Sequence, residues 1–212
     1  MRIEASLDRA PAPSPIGARL RAERQRKGLT VRELARRVGV SPSLISQIER
    51  DKVNPSVSTL WGMVSALGLT MGDLFSHVES PGLHEVAESV ATPGPTTRPG
   101  ERVEINLEAG VRWERLTAAS DPVVEFLTVV YPPGAASCDE DSLLRHGGKE
   151  YGYVTSGRLG VRVGFDEYEL TAGMAISFDA SAPHRLWAIG DEPAEAVWVV
   201  VGRQGDGRAT HA

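Results

Sequence analysis

The chain has 212 residues, 41% apolar and 24% charged, with a formal net charge of -5 at pH 7, which is ordinary for a soluble globular protein of one or two domains. Cys138 is the sole cysteine, which excludes an internal disulfide and any Cys-rich zinc site. No apolar run approaches the 18 or so residues of a membrane span, and the opening stretch MRIEASLDRAPAPSP lacks the apolar core of a signal peptide, so no membrane and a cytoplasmic location are expected.

The charge is unevenly spread. Residues 16–75 carry 10 Arg and Lys against 5 Asp and Glu, whereas residues 76–212 carry 11 against 21. A basic segment joined to an acidic one suggests that only the first meets a polyanion, although a solvated charged surface has the same composition. Residues 1–15, with Pro11, Pro13 and Pro15 and no periodicity, read as a flexible arm. Residues 16–75 have a helical pattern throughout.

Within that segment, Thr30 and Glu33 stand at capping-box spacing before an apolar stripe of Val31, Leu34, Ala35 and Val38. Gly39 stops this helix, Ser41 caps the next and Pro42 takes its first position. Two helices joined by so tight a turn predict a helix-turn-helix unit. The second helix has two sides. Leu44, Ile45 and Ile48 point inward, while Ser43, Ser46, Gln47 and Arg50 share the other side, which has no acid. Such groups can approach base edges, Gln toward adenine and Arg toward guanine. Beyond it, Lys52, Asn54 and Ser56 are candidate backbone-phosphate contacts, and Ser56 also caps a helix over 57–67. The expected DNA-binding set is therefore Ser41, Pro42, Ser43, Ser46, Gln47, Arg50, Lys52, Asn54 and Ser56. A helical protein-interaction module is the bland alternative.

These residues resemble the helix-turn-helix of phage repressors and of the xenobiotic-response-element family of bacterial regulators, and the resemblance spans the five-helix domain of residues 16–75. It implies a structural salt bridge between a first-helix arginine and a glutamate closing the recognition helix, here Arg24 and Glu49. Arg24 falls on the buried side of its helix, where a cation needs a partner. Family members often carry glutamine where this chain has Val31 and Pro42, which shifts sequence reading onto Ser43, Ser46 and Gln47.

Residues 76–100, containing ATPGPTTRPG, read as a linker that can include a short helix within LHEVAESV. Residues 101–204 change to short β-type runs: RVEINL, VVEFLTVVY, EYGYVTS, LGVRVGF, YEL, AISF, HRLWAI and AEAVWVVV. Closely spaced turns predict a small all-β barrel or sandwich. Residues 205–212 form a tail. Alternation places Glu150 on one side with Val154, and places Leu159, Val161, Val163 and Phe165 together on the expected interior. An inward carboxylate needs a partner, and His146 is the nearest in sequence. His184 follows Pro183 at the start of a later strand.

His146, Glu150, Gly157 and His184 match, in order and spacing, the two motifs of the cupin family, and Gly173 fits the glycine that opens the second. Leu144 stands where that pattern has its first metal histidine, Met174 where an acid often follows Gly173, and Ala188 where an asparagine often closes the second motif. The resemblance implies a cupin-like jelly-roll barrel. His146, Glu150 and His184 then admit three readings: polar anchors of an effector pocket, ligands of a divalent metal ion, or a structural hydrogen-bonded cluster. Arg115, Trp113, Tyr151 and Arg185 are further polar candidates; His77, His84 and His211 read as solvated.

The two parts together predict a sequence-specific transcriptional regulator: a multidomain α and β chain whose helix-turn-helix domain binds a double-stranded DNA operator and whose cupin-like domain senses a small-molecule effector, a metal, or both. Pairing of this kind resembles a recurring group of bacterial one-component regulators. A homodimer is expected, with AEAVWVVV either an exposed dimer edge or a buried central strand. The rival class is a metal-dependent cupin enzyme, an oxygenase or isomerase, with a DNA-binding tether. A third, a DNA-binding antitoxin, would need a toxin-binding segment that the sequence does not display.

Overall fold

The computed structural model describes residues 16–75 and 94–202. The expected arm over 1–15, most of the expected linker with its short helix in LHEVAESV, the expected tail, and His77, His84 and His211 lie outside the described residues. Five helices come first: α1 (Ile16–Arg26), α2 (Val31–Val38), α3 (Pro42–Ile48), α4 (Val57–Ala66) and α5 (Met71–Phe75).

The starts of α2, α3 and α4 follow one rule. Thr30 Oγ1 accepts from the Glu33 N–H, Ser41 Oγ from the Leu44 N–H and Ser56 Oγ from the Thr59 N–H, each at 3.1 Å. Each bond satisfies a first-turn donor that has no carbonyl partner inside the helix. The Glu33 carboxylate is engaged by Arg37 one turn on, at 3.1 Å. A reciprocal box forms instead at α5, where the Asp73 N–H donates to Thr70 Oγ1 at 3.1 Å and the Thr70 N–H to Asp73 Oδ2 at 2.7 Å. Leu20, Leu34, Ile45, Ile48, Leu60, Met63 and Leu67 are buried and make the helical core.

Among the described residues, nine strands follow: β1 (Glu104–Asn106), β2 (Arg112–Arg115), β3 (Val124–Tyr131), β4 (Lys149–Ser156), β5 (Arg158–Val163), β6 (Asp166–Thr171), β7 (Ala175–Asp179), β8 (His184–Ala188) and β9 (Ala194–Val201). They form a six-stranded sheet ordered β1-β2-β3-β9-β4-β7 and a three-stranded sheet ordered β6-β5-β8, antiparallel throughout. Val154, Leu159, Val161, Leu186, Ala196 and Trp198 are buried in the common interior.

Two details depart from the sequence reading, and a third decides between two alternatives it left open. Strand β2 (RWER) was not anticipated. Its inward residues are Trp113 and Arg115, so charge masks the alternation. Phe165, expected on the interior side, is 99% exposed, because β5 ends at Val163 and Gly164 turns the chain at φ 62°. AEAVWVVV is not an edge: β9 is hydrogen-bonded to β3 on one side and β4 on the other.

The helical unit sits on the barrel. The Ser58 N–H donates to Ser137 O at 3.2 Å, and the Glu108 N–H to Pro55 O at 2.9 Å. Arg115 Nη1 donates to Phe75 O at 3.0 Å, and Ser120 Oγ to Gly72 O at 2.6 Å. These bonds bring α4 against the mouth of the barrel.

Candidate functional site

Two places carry chemistry. The first is the outer side of α3. Ser41, Pro42, Ser43 and Arg50 are exposed, and Ser46 and Gln47 are half-buried. Gln47 Nε2 lies 3.4 Å from Ser43 Oγ, and Arg50 Nε donates to Ser46 O at 2.8 Å. Both long side chains therefore lie along the helix surface in the free protein. Lys52 and Asn54 are exposed on the following loop. The Ser56 hydroxyl caps α4 and meets Ser58 and Thr59 at 3.1 and 2.9 Å, so it is spent inside the fold.

Below this surface, Arg24 and Glu49 are buried and joined by two bonds, Nε to Oε1 at 2.6 Å and Nη2 to Oε2 at 2.9 Å. Arg24 Nη1 also donates to Leu29 O at 2.7 Å. The hydrogen bond from Arg24 to the Glu49 carboxylate, against the cost of burial, raises the guanidinium pKa above its ordinary value. This fork ties α1 to the end of α3 and fixes how α3 is presented.

The second place is the barrel interior. Strand β4 carries Glu150 inward, β8 begins with His184, and the loop before β4 supplies His146. The three ligand atoms lie within 4.8 Å of one another. His146 Nε2 is 2.7 Å and His184 Nε2 3.6 Å from Glu150 Oε1, while Trp198 Nε1 donates to Glu150 Oε2 at 2.8 Å. Burial pushes the Glu150 carboxyl up. The His146 hydrogen bond, the two nearby imidazoles and the indole N–H outweigh it, and hold it below the usual carboxylate range.

The other imidazole nitrogens explain what the cluster can hold. His146 Nδ1 lies 3.0 Å from Gly147 O, and His184 Nδ1 2.9 Å from Ala182 O. A carbonyl oxygen only accepts, so both Nδ1 atoms carry hydrogen. Neutral imidazoles would then aim two bare Nε2 lone pairs at a carboxylate oxygen. Such an arrangement calls for a positive charge in the middle, supplied by a proton on an imidazole or by a cation. Two Nε2 atoms and one carboxylate oxygen, each held by an outer partner, fit a divalent transition metal. Leu144 does not add a ligand; its backbone pairs in both directions with His184 at 2.9 Å, and its side chain faces the interior.

The interior around this cluster is apolar and aromatic, lined by Val57, Trp61, Trp113, Leu127, Tyr131, Leu186 and Trp198 among others. Of the further candidates, Trp113 lines it. Tyr151 is exposed on the outer side of the sheet, and Arg115 is buried against α5 and the 117–120 loop. Arg185 Nε donates to Cys138 O at 2.9 Å, with its guanidinium over Trp187. Sequence reading missed Trp198, Trp61 and Glu125. Alternation in AEAVWVVV could have placed Trp198 inside; Trp61, on a helix of the other unit, had no such signal.

The comparisons agree with both halves of this geometry. A helix-turn-helix family model matches residues 20–74, and a cupin domain model matches residues 127–200. Over 170 residues, 79% of this chain and 84% of the relative, the chain is 29% identical to the HTH-type transcriptional regulator PuuR of Escherichia coli. Over 64 residues, 30% of this chain and 75% of the relative, it is 39% identical to y4dJ, an uncharacterized HTH-type transcriptional regulator of Sinorhizobium fredii. A crystal structure of an HTH_3 family transcriptional regulator from Vibrio cholerae covers 89% of this chain and 95% of that one, with a TM-score of 0.61 at 24% identity, a likeness of fold. The chain belongs to the helix-turn-helix transcriptional regulators, with a cupin barrel joined behind its DNA-binding unit.

Proposed function

We propose that this regulator reads its operator as a homodimer in the bacterial cytoplasm, through Ser43, Ser46 and Gln47 on α3 and Arg50 in the turn after it, and that its barrel senses a ligand rather than turning one over. The observation that carries this reading is the outer side of α3: exposed or half-exposed, free of acid, and held rigid from beneath by Arg24–Glu49. Ser41 and Pro42 flank it at the start of the helix, and Lys52 and Asn54 follow it and set register on the phosphates. Ser56 fits a phosphate contact less well, because its hydroxyl caps α4.

A second copy is expected on the outer side of the six-stranded sheet. There Phe126, Val199 and Tyr151 stand in one row across β3, β9 and β4, with Val197 and Tyr153 in the next. Phe126, Tyr151 and Tyr153 are 38, 44 and 49% exposed, and a contiguous exposed apolar patch is what an interface uses. A dimer would place two recognition helices about 34 Å apart, one turn of B-DNA.

His146, Glu150 and His184 would hold a divalent metal, which when bound supplies a Lewis-acidic anchor for an anionic or hydroxyl group of the ligand. The regulator reading is favoured over a metal-dependent oxygenase or isomerase because the relatives matched over both units are named as regulators. Selection of bound fragments from genomic DNA, for the wild type and a Ser43→Ala/Gln47→Ala double variant, tests it. The wild type should enrich a two-fold symmetric site, with affinity falling steeply as salt rises. The variant should lose base preference while keeping residual affinity; identical enriched sites would refute the reading.

A further inference from the structure

Two spaces meet at a partition of three side chains. The inner space, around Glu150 and His184, has a volume of about 30 Å³, room for roughly one water molecule or an ion. The outer space is a cleft of about 640 Å³ between the helical unit and the 139–147 loop of the barrel, in the size range of organic ligand sites. Trp61, Leu144 and His146 border both spaces and so form the partition between them.

The members of that partition are held differently. Leu144 is bonded by its backbone in both directions to His184, and the His146 N–H donates to Ala180 O at 3.0 Å. Both are fixed to the barrel. Trp61 comes from α4, in the other unit. Its indole stacks on the His146 ring with centroids 5.1 Å apart and planes at 23°, and meets Trp113 at 6.1 Å and 54°. The slot between His146 and Trp113 is thus shaped for one flat ring, and the chain itself fills it.

We propose that Trp61 is the gate of the barrel's inner chamber: a planar aromatic ligand replaces the indole between His146 and Trp113, and in doing so lifts α4 from the barrel mouth. This rests on reading the barrel as a ligand-sensing domain. The space behind the seated indole, about 30 Å³, is far smaller than the cleft in front of it, so an organic molecule entering from the cleft must displace the indole. Nearby, α4 and the loop before it meet the barrel through the Ser58 N–H on Ser137 O and the Glu108 N–H on Pro55 O. Such bonds are exchanged for water at small net cost. The recognition helix follows α4, since Ile48 of α3 and Leu60 of α4 share the buried helical core. The occupant therefore biases recognition-helix placement by its preference for the undocked arrangement.

The test uses the full chain, with indole as the aromatic probe and cyclohexanol as the saturated control. Removing an internal competitor removes the fraction of time the slot is closed. Trp61→Ala should therefore bind indole about tenfold tighter than the wild type by calorimetric titration, with Trp61→Phe between them and no matching gain for cyclohexanol. With the wild type saturated by indole, amide hydrogen exchange over residues 57–66 should rise. Equal indole affinity in wild type and Trp61→Ala, an equal gain for cyclohexanol, or saturation without faster exchange in α4 would each overturn the proposal. Should Trp61→Ala melt early, Trp61→Leu keeps apolar bulk without the flat ring, and the same comparison decides. Neither readout involves DNA, so failure here leaves the operator reading standing, and altered operator selection leaves this one untouched.

Discussion

Single side chains set the character of both units. The Arg24–Glu49 fork is a buried ion pair with two short bonds, and removing one partner strands the other charge. Glu49→Ala is expected to destabilise the helical unit by about 3–5 kcal/mol, read as a lowered denaturant midpoint. A midpoint equal to the wild type's would show that the fork is ornamental. Glu150 gives a pH signature. Its carboxyl is held below the ordinary range in the folded chain, so its contribution is complete above the usual glutamate pKa of about 4.3 and is lost as pH falls through the folded value. Thermal stability of the wild type should drop more steeply than that of Glu150→Gln below about pH 4.3. Parallel curves would contradict the assignment. Glu150 was legible in sequence, because an inward carboxylate demands a partner, and Glu49 through the resemblance to the repressor family; that the Trp198 indole, 48 positions downstream, donates to Glu150 was not.

At the scale of elements, hydroxyl caps and apolar periodicity located α2, α3 and α4 from local signals alone. The β strands obeyed alternation where the inward residues were aliphatic and evaded it at β2, where they are Trp113 and Arg115. Seating Trp198 explains a glycine within β4: a Cβ at Gly152, its register partner, would overlap the indole ring. Gly157 turns the chain at φ 69° directly over the Pro193 carbonyl, which excludes any side chain there. Gly152→Val is therefore expected to displace Trp198, overpacking the interior at a cost of about 1–3 kcal/mol. Lower stability with a shifted tryptophan emission would bear this out, and an unchanged spectrum would count against it.

Across the whole molecule, the helical unit and the barrel meet through a few directed bonds. Arg115 is the main tie from the barrel side, donating to Phe75 O at 3.0 Å while its other nitrogens bond the Thr117 and Ala118 carbonyls at 3.0 and 3.2 Å. Arg115→Ala leaves these carbonyls without that partner, at a cost of about 1–3 kcal/mol. Calorimetry should then resolve two unfolding transitions where the wild type shows closer coupling; a single unchanged transition would argue that other contacts hold the units together. The sequence by itself determined the two fold types, and its match to the cupin motifs marked His146, Glu150 and His184, which the structure brings together. The fold types rest on short-range spacing, 3.6-residue and two-residue periods and hydroxyl caps; the trio rests on a resemblance, since His184 lies 38 residues after His146. Only the tertiary structure decided that β9 is central, that Phe165 lies outside, and that Trp61 of one unit closes the chamber of the other. Those outcomes depend on strand order and domain docking, which bring together residues far apart in the chain and leave no periodic trace along it.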